Sequence, residues 1–316
     1  LMYNYKFVVA TTLVAMIAMM SIASVSGGAA GPAPSALEDF IYAPDSGYSY
    51  SLHHSVQGNG YTQYTLNLTS GNWLDANRTS NPVWWHLLQV CIPDYPLATN
   101  TAFLWNEGGY FTTSTNVSLS PLIASMCANS NTVVASLLQN PNQYIVFNNN
   151  GTPKNVSEDG ILAYSWRQFI ANNTDPSQLA NFPMARAVVR AMDAVQSFVA
   201  QRSYYIRVKN FVISGASKRG WAAWLAAAVD DRVKAVIPVV MPIGALEQQM
   251  NNHFRAYGGF LLRLWQLLLR GPHGQRQPAR LLLPGQAARP IDVRVRPHHA
   301  QVHRHRRLGP VLHPRL

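Results

Sequence analysis

The hydrophobic pattern at the start of the chain is that of strands. Residues 47–58 and 60–70 alternate apolar or aromatic positions with polar ones, which predicts an antiparallel pair of strands. Continuous apolar runs of strand length follow at 84–93, 101–106 and 132–139, and such runs are typical of strands buried on both faces. This part of the chain is therefore predicted to begin with antiparallel strands and to continue with buried ones.

Farther along, helical periods alternate with further apolar runs. The predicted elements of this part are helices over 119–128, 158–170, 184–200 and 221–229, and strands over 208–213 and 233–240. An antiparallel start that leads into strand-helix-strand repeats predicts an α/β fold. We expect an α/β-hydrolase-like, mostly parallel sheet flanked by helices, with antiparallel N-terminal strands.

A serine lies at the junction of one predicted strand and the helix after it. Ser217 is placed in Gly-Ala-Ser-Lys-Arg-Gly, a tight turn that exposes the hydroxyl at the carboxyl end of the sheet. Gly215 and Gly220 give the turn room where a side chain would press on strand or helix. The usual pattern is G-x-S-x-G, whereas Arg219 holds the fifth place here. A nucleophile is one interpretation, and a glycine-rich turn with an inert serine is the other.

A second pair of glycines follows the predicted strand 101–106. Gly108 and Gly109 stand where an early strand-to-helix loop donates one amide of an oxyanion hole, and Lys218 donates the other. A plain tight turn is the alternative. The side chains of Lys218 and Arg219 either bind an anionic substrate or face solvent in the first helical turn.

The charge of the chain is concentrated at its C-terminal end. The net charge is +11 over 316 residues, and residues 261–316 hold 11 arginines and one acid, Asp292. From Gln266 onward there is no Ser, Thr, Asn, Lys, Glu, Phe or Tyr. A shifted reading frame explains this change of composition, and a basic tail that binds polyanions is the alternative. We expect no nucleic acid partner in the native role, and C-terminal strands missing from the sheet.

The other end of the chain has the features of a targeting segment. Lys6 precedes an apolar stretch over 7–25 and a run of small residues, which predicts a signal peptide over 1–28 and a secreted protein without a stable membrane span after cleavage. An uncleaved anchor is the alternative. The domains expected are this signal, a truncated domain over 29–262 and the tail 263–316. Residues 31–47 have the composition of a linker.

Glycosylation signals and a cysteine pair agree with secretion. Six N-x-[ST] sites occur at Asn67, Asn77, Asn116, Asn150, Asn155 and Asn172. Cys91 and Cys127 are the two cysteines, and in a secreted protein a pair indicates one disulfide, with two separately buried thiols as the alternative. We expect no metal site and no cofactor.

The expected catalytic partners of the serine are missing from the intact region. In the hydrolase order an acid and then a histidine follow the nucleophile. Only Glu247 and His253 come after the strand over 233–240 and before the tail, and they come too soon to be the usual partners. Without a positioned base the Ser217 hydroxyl stays protonated, so this chain is expected to be inactive unless a base is supplied.

Several long segments resemble one family, the PhoPQ-activated pathogenicity-related proteins, which include autocrine proliferation repressor-like proteins. The resemblance covers residues 37–260 and is carried by segments 36–50, 141–147, 158–166, 184–198 and 214–240. It implies an α/β hydrolase with Ser217 as nucleophile and Gly108 and Gly109 in the oxyanion loop. It implies a small-molecule or peptide substrate, or a cell-surface receptor if the protein signals without catalysis.

Overall fold

A computed structural model describes residues 23–24, 35–44, 47–111, 117–149, 152–203, 205–241 and 246–257. Its strands are β1 (Ala23–Ser24), β2 (Ser49–Gln57), β3 (Tyr61–Asn72), β4 (Val83–Pro93), β5 (Ala98–Asn106), β6 (Thr132–Leu137), β7 (Ile145–Asn149), β8 (Thr152–Val156), β9 (Asn210–Ala216) and β10 (Val233–Val239). Its α-helices are α1 (Ala36–Tyr42), α2 (Pro121–Ser130), α3 (Asp159–Ala171), α4 (Asn181–Arg202), α5 (Lys218–Val229) and α6 (Leu246–Tyr257), and a 3₁₀ turn spans Pro176–Gln178.

Eight of the strands form one mixed sheet in the order β1-β10-β9-β5-β6-β4-β3-β2. Strands β10, β9, β5 and β6 are parallel to one another, whereas β2, β3 and β4 are antiparallel and β4 joins β6 in antiparallel register. The expected α/β-hydrolase-like architecture, with antiparallel N-terminal strands leading into a parallel sheet flanked by helices, is confirmed. Strands β7 and β8 form a separate hairpin.

Helices cover both faces of this sheet because alternate residues of each strand point to opposite sides. In β6, Val133 and Ala135 belong to the main core with α4 and α5, whereas Val134 belongs to a smaller cluster with α2. One face of helix α4 is buried along its whole length, whereas Arg190, Asp193 and Ser197 recur at helical spacing on a less buried face, which accounts for the strong helical period in the sequence. This packing fixes the central strands, and their carboxyl ends carry the candidate site.

A disulfide ties the smaller cluster together. Cys91 of β4 is bonded to Cys127 of α2, with the two Cα atoms 6.3 Å apart, and both residues are fully buried. The bond closes a loop with a sequence separation of 36 that includes β5 and most of α2.

The structure corrects some element boundaries. The linker interpretation of residues 31–47 is wrong in its middle, where α1 forms because Ser35 and Glu38 make a capping box. Helix α2 begins two residues later than predicted, at Pro121, after the cap Ser120. Helix α5 begins at Lys218 rather than at 221, directly after the candidate serine.

The two ends of the chain lie largely outside the described residues. Of the predicted signal over 1–28, only Ala23–Ser24 is described, and it pairs antiparallel with Ala235 and Val236 of β10. The predicted tail over 263–316 lies wholly outside. Within the described ranges, every helix is too short or too polar to span a bilayer.

Candidate active site

Ser217 occupies the sharp turn between β9 and α5. Its φ of 55° and ψ of −126° lie in a region that side-chain-bearing residues rarely adopt, and the residue is exposed. The backbone holds this conformation from both sides, because the Ser217 amide donates to the Val239 carbonyl at 2.8 Å and the Trp221 amide donates to the Ser217 carbonyl at 3.1 Å. The hydroxyl is thereby presented at the carboxyl end of the central strands.

The two glycines of this turn are required by close backbone approach. A Cβ on Gly215 would lie 2.7 Å from the Arg219 carbonyl oxygen, and a Cβ on Gly220 would lie 2.7 Å from the Gly215 carbonyl oxygen. Strand end and helix start therefore pack against each other at both positions. The departure from G-x-S-x-G leaves this contact intact, since Gly220 makes it one position later.

The glycines at the end of β5 lie beside this turn. Asn106 pairs with Gly215 in the parallel register, and the same register carried two residues forward brings Gly108 level with Ser217. A Cβ on Gly108 would overlap the Arg219 guanidinium, and Gly109 has a φ of 115°. The loop and the first turn of α5 are therefore in direct contact.

For two of the three predicted oxyanion donors, the described residues provide no acceptor to the backbone amide. The Lys218 amide is the first of α5 and has no acceptor inside the helix. No acceptor among the described residues takes the Gly109 amide. The Gly108 amide is already used, because it donates to the Glu107 carboxylate at 3.0 Å, which also accepts the Trp105 indole N–H at 2.6 Å.

The side chains of Lys218 and Arg219 are ion-paired and largely buried rather than solvent-facing. Lys218 Nζ lies 2.7 Å from Glu158 Oε2 and 2.8 Å from Asp159 Oδ1, and only 6% of its side chain is exposed. Arg219 Nη2 lies 2.6 Å from Glu158 Oε1. The solvent-facing alternative for these cations is therefore wrong, because two carboxylates at the start of α3 pair with them, whereas binding of an anionic substrate stays a prediction.

Glu158 is the centre of this network. Partial burial raises the pKa of its carboxyl, but hydrogen bonds from three donors outweigh burial and lower the pKa to about 2. In decreasing order of effect, the donors are Arg219, Lys218 and Gln143. The Glu158 carboxylate is therefore ionised at neutral pH and forms ion pairs with Lys218 and Arg219.

A loop of buried amides, residues 139–143, supports the glycine loop. The Gln139 amide donates to the Gly108 carbonyl at 2.8 Å, and the Asn140 amide donates to the Glu107 carbonyl at 3.2 Å. Gln143 Nε2 donates to the Gly109 carbonyl at 2.8 Å. Neither this loop nor Glu158 was predicted from the sequence, since an acid before a helix and a run of amides do not by themselves indicate contact with a distant serine.

The edge of the site carries exposed aromatic rings. Tyr110 follows Gly109 directly, and its ring stacks on that of Tyr144 at a centroid distance of 4.9 Å. The two side chains are 49% and 52% exposed. An apolar surface is thus available next to the glycine loop.

Among the side chains that the structure describes, none is a base bonded to Ser217, because no described histidine or carboxylate hydrogen-bonds its hydroxyl. His86 is fully buried in β4, where Nε2 lies 3.0 Å from Ser70 Oγ and burial lowers the pKa to about 4, so it is a neutral core residue. Glu247 and His253 belong to α6, but their side chains lie outside the described part, as does Asp292.

Most of the predicted glycosylation sites are on the surface. Asn67, Asn77, Asn155 and Asn172 are exposed. Asn116 and Asn150 lie outside the described residues.

A family model described as "PhoPQ-activated pathogenicity-related protein" matches residues 37–273. The chain belongs to this family. The resemblance expected over 37–260 is thereby confirmed, and it extends past the predicted tail boundary at 262.

Autocrine proliferation repressor protein A of Dictyostelium discoideum is 40% identical over 240 residues, a stretch that covers 76% of this chain and 46% of that protein. The chain thus spans about half the length of this curated relative.

Solved structures of esterases are similar at low identity. An acetyl xylan esterase from Paenibacillus sp. R4 has 14% identity and a TM-score of 0.41, with 77% of this chain and 73% of that chain covered. Acetyl xylan esterase 1 from Thermoanaerobacterium sp. JW/SL YS485 has 14% identity and a TM-score of 0.39, with 70% and 64% covered. At such scores the strand order and connectivity, rather than the likeness, establish the fold of this chain.

Proposed function

We propose that the protein is a secreted serine hydrolase that transfers an acyl group from an ester or peptide to water, with Ser217 as nucleophile. The observation that carries the proposal is the backbone of Ser217, an exposed serine held at a φ of 55° directly between a central strand and a helix. Such strain at a surface hydroxyl persists only where packing enforces it, and it clusters at functional sites.

The proposed chemistry uses the groups around this turn. The Ser217 oxygen attacks the substrate carbonyl carbon, and the carbonyl oxygen becomes an oxyanion. The Lys218 and Gly109 amides are the proposed donors to that oxyanion. A base must take the hydroxyl proton and later return it to the leaving group. In the hydrolase order the acid and the histidine follow residue 240, and without them the chain is inactive.

Secretion is part of the proposal. It is supported by the N-terminal apolar segment and by four exposed glycosylation signals. The name of the D. discoideum relative, an autocrine repressor, also points to action outside the cell.

The same relative favours a second candidate. A protein named as a proliferation repressor acts as a signal, so we hold as the alternative that this chain uses the hydrolase scaffold to bind a cell-surface partner without catalysis. The lack of a base bonded to Ser217 among the described residues fits this alternative as well.

A fluorophosphonate probe separates the two candidates. A version of the chain whose C-terminal part is read in the intact frame is expressed through the secretory pathway, and its folding is checked by circular dichroism. Labelling is followed in its Ser217→Ala variant and in its Ser55→Ala variant, Ser55 being an exposed serine of β2. A hydrolase loses labelling in the first variant and keeps it in the second. If the folded protein is not labelled, or if both variants are labelled equally, Ser217 is not the nucleophile. The signalling candidate then remains.

A further inference from the structure

We propose that Glu158 is a positioning residue that holds the nucleophile turn and the glycine loop in register. This inference deepens the proposed function and rests on it. Glu158 precedes α3 and is separated from Lys218 by 60 residues in sequence, yet its carboxylate contacts both cations that follow Ser217. No other acidic side chain in the described residues bridges the two sides of the site.

On one side, Glu158 fixes the first turn of α5. Its two oxygens lie 2.7 Å from Lys218 Nζ and 2.6 Å from Arg219 Nη2. Lys218 and Arg219 are the two residues directly after the serine, so their placement sets the direction of the first amides of the helix. Arg219 Nε also donates to the Asn140 carbonyl at 2.6 Å, which extends the same hold to the amide loop.

On the other side, Glu158 fixes the glycine loop through Gln143. Gln143 Nε2 donates to Glu158 Oε1 at 2.6 Å and to the Gly109 carbonyl at 2.8 Å. The Glu158 amide in turn donates to Gln143 Oε1 at 2.6 Å. The bonds of Glu158 thus reach both residues whose amides we propose as oxyanion donors, Lys218 through its side chain and Gly109 through its carbonyl and Gln143.

A neighbouring acid provides a matched control. Asp159 Oδ1 lies 2.8 Å from Lys218 Nζ and is as exposed as Glu158, at 27% against 29%. Asp159 contacts neither Gln143 nor Arg219 through any described ion pair or hydrogen bond. Asp159→Asn therefore removes the same charge as Glu158→Gln while leaving the connection to the glycine loop in place.

Hydrogen exchange tests the positioning role without requiring turnover. In Glu158→Gln, we expect backbone amides in residues 107–111 and 138–143 to exchange on the order of tenfold faster, because these segments lose the anchor that holds Gln143 and Arg219. In Asp159→Asn, we expect exchange in both segments to match the parent chain. Equal protection of these segments in parent chain and Glu158→Gln overturns the inference.

Kinetics test the same role at the reacting atoms. For the labelled serine, we expect the rate constant of fluorophosphonate labelling to fall on the order of tenfold to a hundredfold in Glu158→Gln, since small displacements of donor amides cost that much. In Asp159→Asn, we expect this labelling rate constant to fall by no more than about threefold, because the connection to the glycine loop stays in place. With p-nitrophenyl acetate, the loss is expected in kcat and not in KM, and Glu158→Asp recovers part of it.

The outcomes separate the inference from the proposed function. If Ser217→Ala keeps its label while Glu158→Gln loosens both loops, the hydrolase proposal fails and the structural role of Glu158 stands. If Ser217→Ala loses its label while Glu158→Gln labels at the rate of Asp159→Asn, the inference fails alone. Should Glu158→Gln not fold, Gln143→Met removes the connection to Gly109 with the charges intact, and unchanged exchange over 107–111 in that variant overturns the inference.

Discussion

Glu158 and Ser217 have nearly the same unusual backbone conformation. Their φ and ψ angles are 50° and −126° for Glu158 and 55° and −126° for Ser217, and each residue directly precedes a helix. The ion pair from Lys218 to Glu158 joins the two helix starts at 2.7 Å. Two residues with strained backbones, each at the start of a different helix, thus meet at one site.

Ser217→Gly is expected to stabilise the fold. A side chain in this backbone region costs on the order of 1–3 kcal/mol, which glycine relieves. Glycine also gives the unfolded chain more conformational freedom, which lowers the free energy of unfolding by about 0.4–1 kcal/mol. We expect a net increase of about 1 kcal/mol in the free energy of urea unfolding. Ser203→Gly, at an ordinary φ of −135°, is the control and should not stabilise. A loss in Ser217→Gly equal to that of the control would argue that the turn is unstrained.

Gly215→Ala and Gly220→Ala are expected to destabilise the protein. Each new Cβ meets a backbone carbonyl oxygen at 2.7 Å, a distance that forces strand and helix apart. Overpacking of this kind costs about 1–3 kcal/mol of unfolding free energy. The control is Gly160→Ala in α3, where the nearest atom, Val156 Cβ, is 3.4 Å away, so the better helix propensity of alanine makes this variant neutral or slightly stabilising. Equal thermal midpoints for all three variants would contradict the close approach at the turn.

The stabilising effect of Glu158 is expected to disappear in acid. Its folded-state pKa of about 2 is below the ordinary value of 4.5, so the folded state favours the ionised form. This contribution is fully present above about pH 5 and is lost as the pH falls from there toward 2. The measurement is the difference in unfolding free energy between the parent chain and Glu158→Gln, followed by urea titration across this range. A difference that stays constant down to pH 2 would show that the carboxylate gains nothing from its partners.

The sequence was sufficient for the main strands and helices and for the turn that carries Ser217, but not for the hairpin of β7 and β8 or for the network around the serine. Period-two and helical patterns depend on burial of one face, so β2 to β6 and α4 could be predicted from the local amino-acid sequence. Ser217 was found because glycines mark its turn. The pairing of Glu158 with Lys218 joins residues separated by 60 positions, and no local period encodes such a contact. Helix α1, in contrast, was missed although Ser35 and Glu38 spell a capping box in the sequence.

Reduction of the bond between Cys91 and Cys127 is expected to destabilise the fold. Closing a loop with a sequence separation of 36 removes entropy from the unfolded chain that corresponds to about 4 kcal/mol in the chain-entropy model. Thermal unfolding with and without dithiothreitol measures this effect. The double variant Cys91→Ala/Cys127→Ala is the control, because its lower midpoint should not respond to the reductant. A parent chain that is equally indifferent to dithiothreitol would show that the two thiols are not bonded.

Passage through the secretory pathway predicts glycans on the exposed acceptors. Asn67, Asn77, Asn155 and Asn172 are accessible on the surface, so an oligosaccharide at each would extend into solvent without disturbing the core. When the chain is expressed in eukaryotic cells and recovered from the medium, treatment with an N-glycosidase should lower its apparent mass. Each Asn→Gln change at an occupied site should remove one step of that shift, whereas Asn129→Gln, outside any acceptor motif, should remove none. Retention inside the cells with no mass change would contradict secretion. The α/β fold could not then be used to argue for secretion, because the same fold occurs in proteins with different functions.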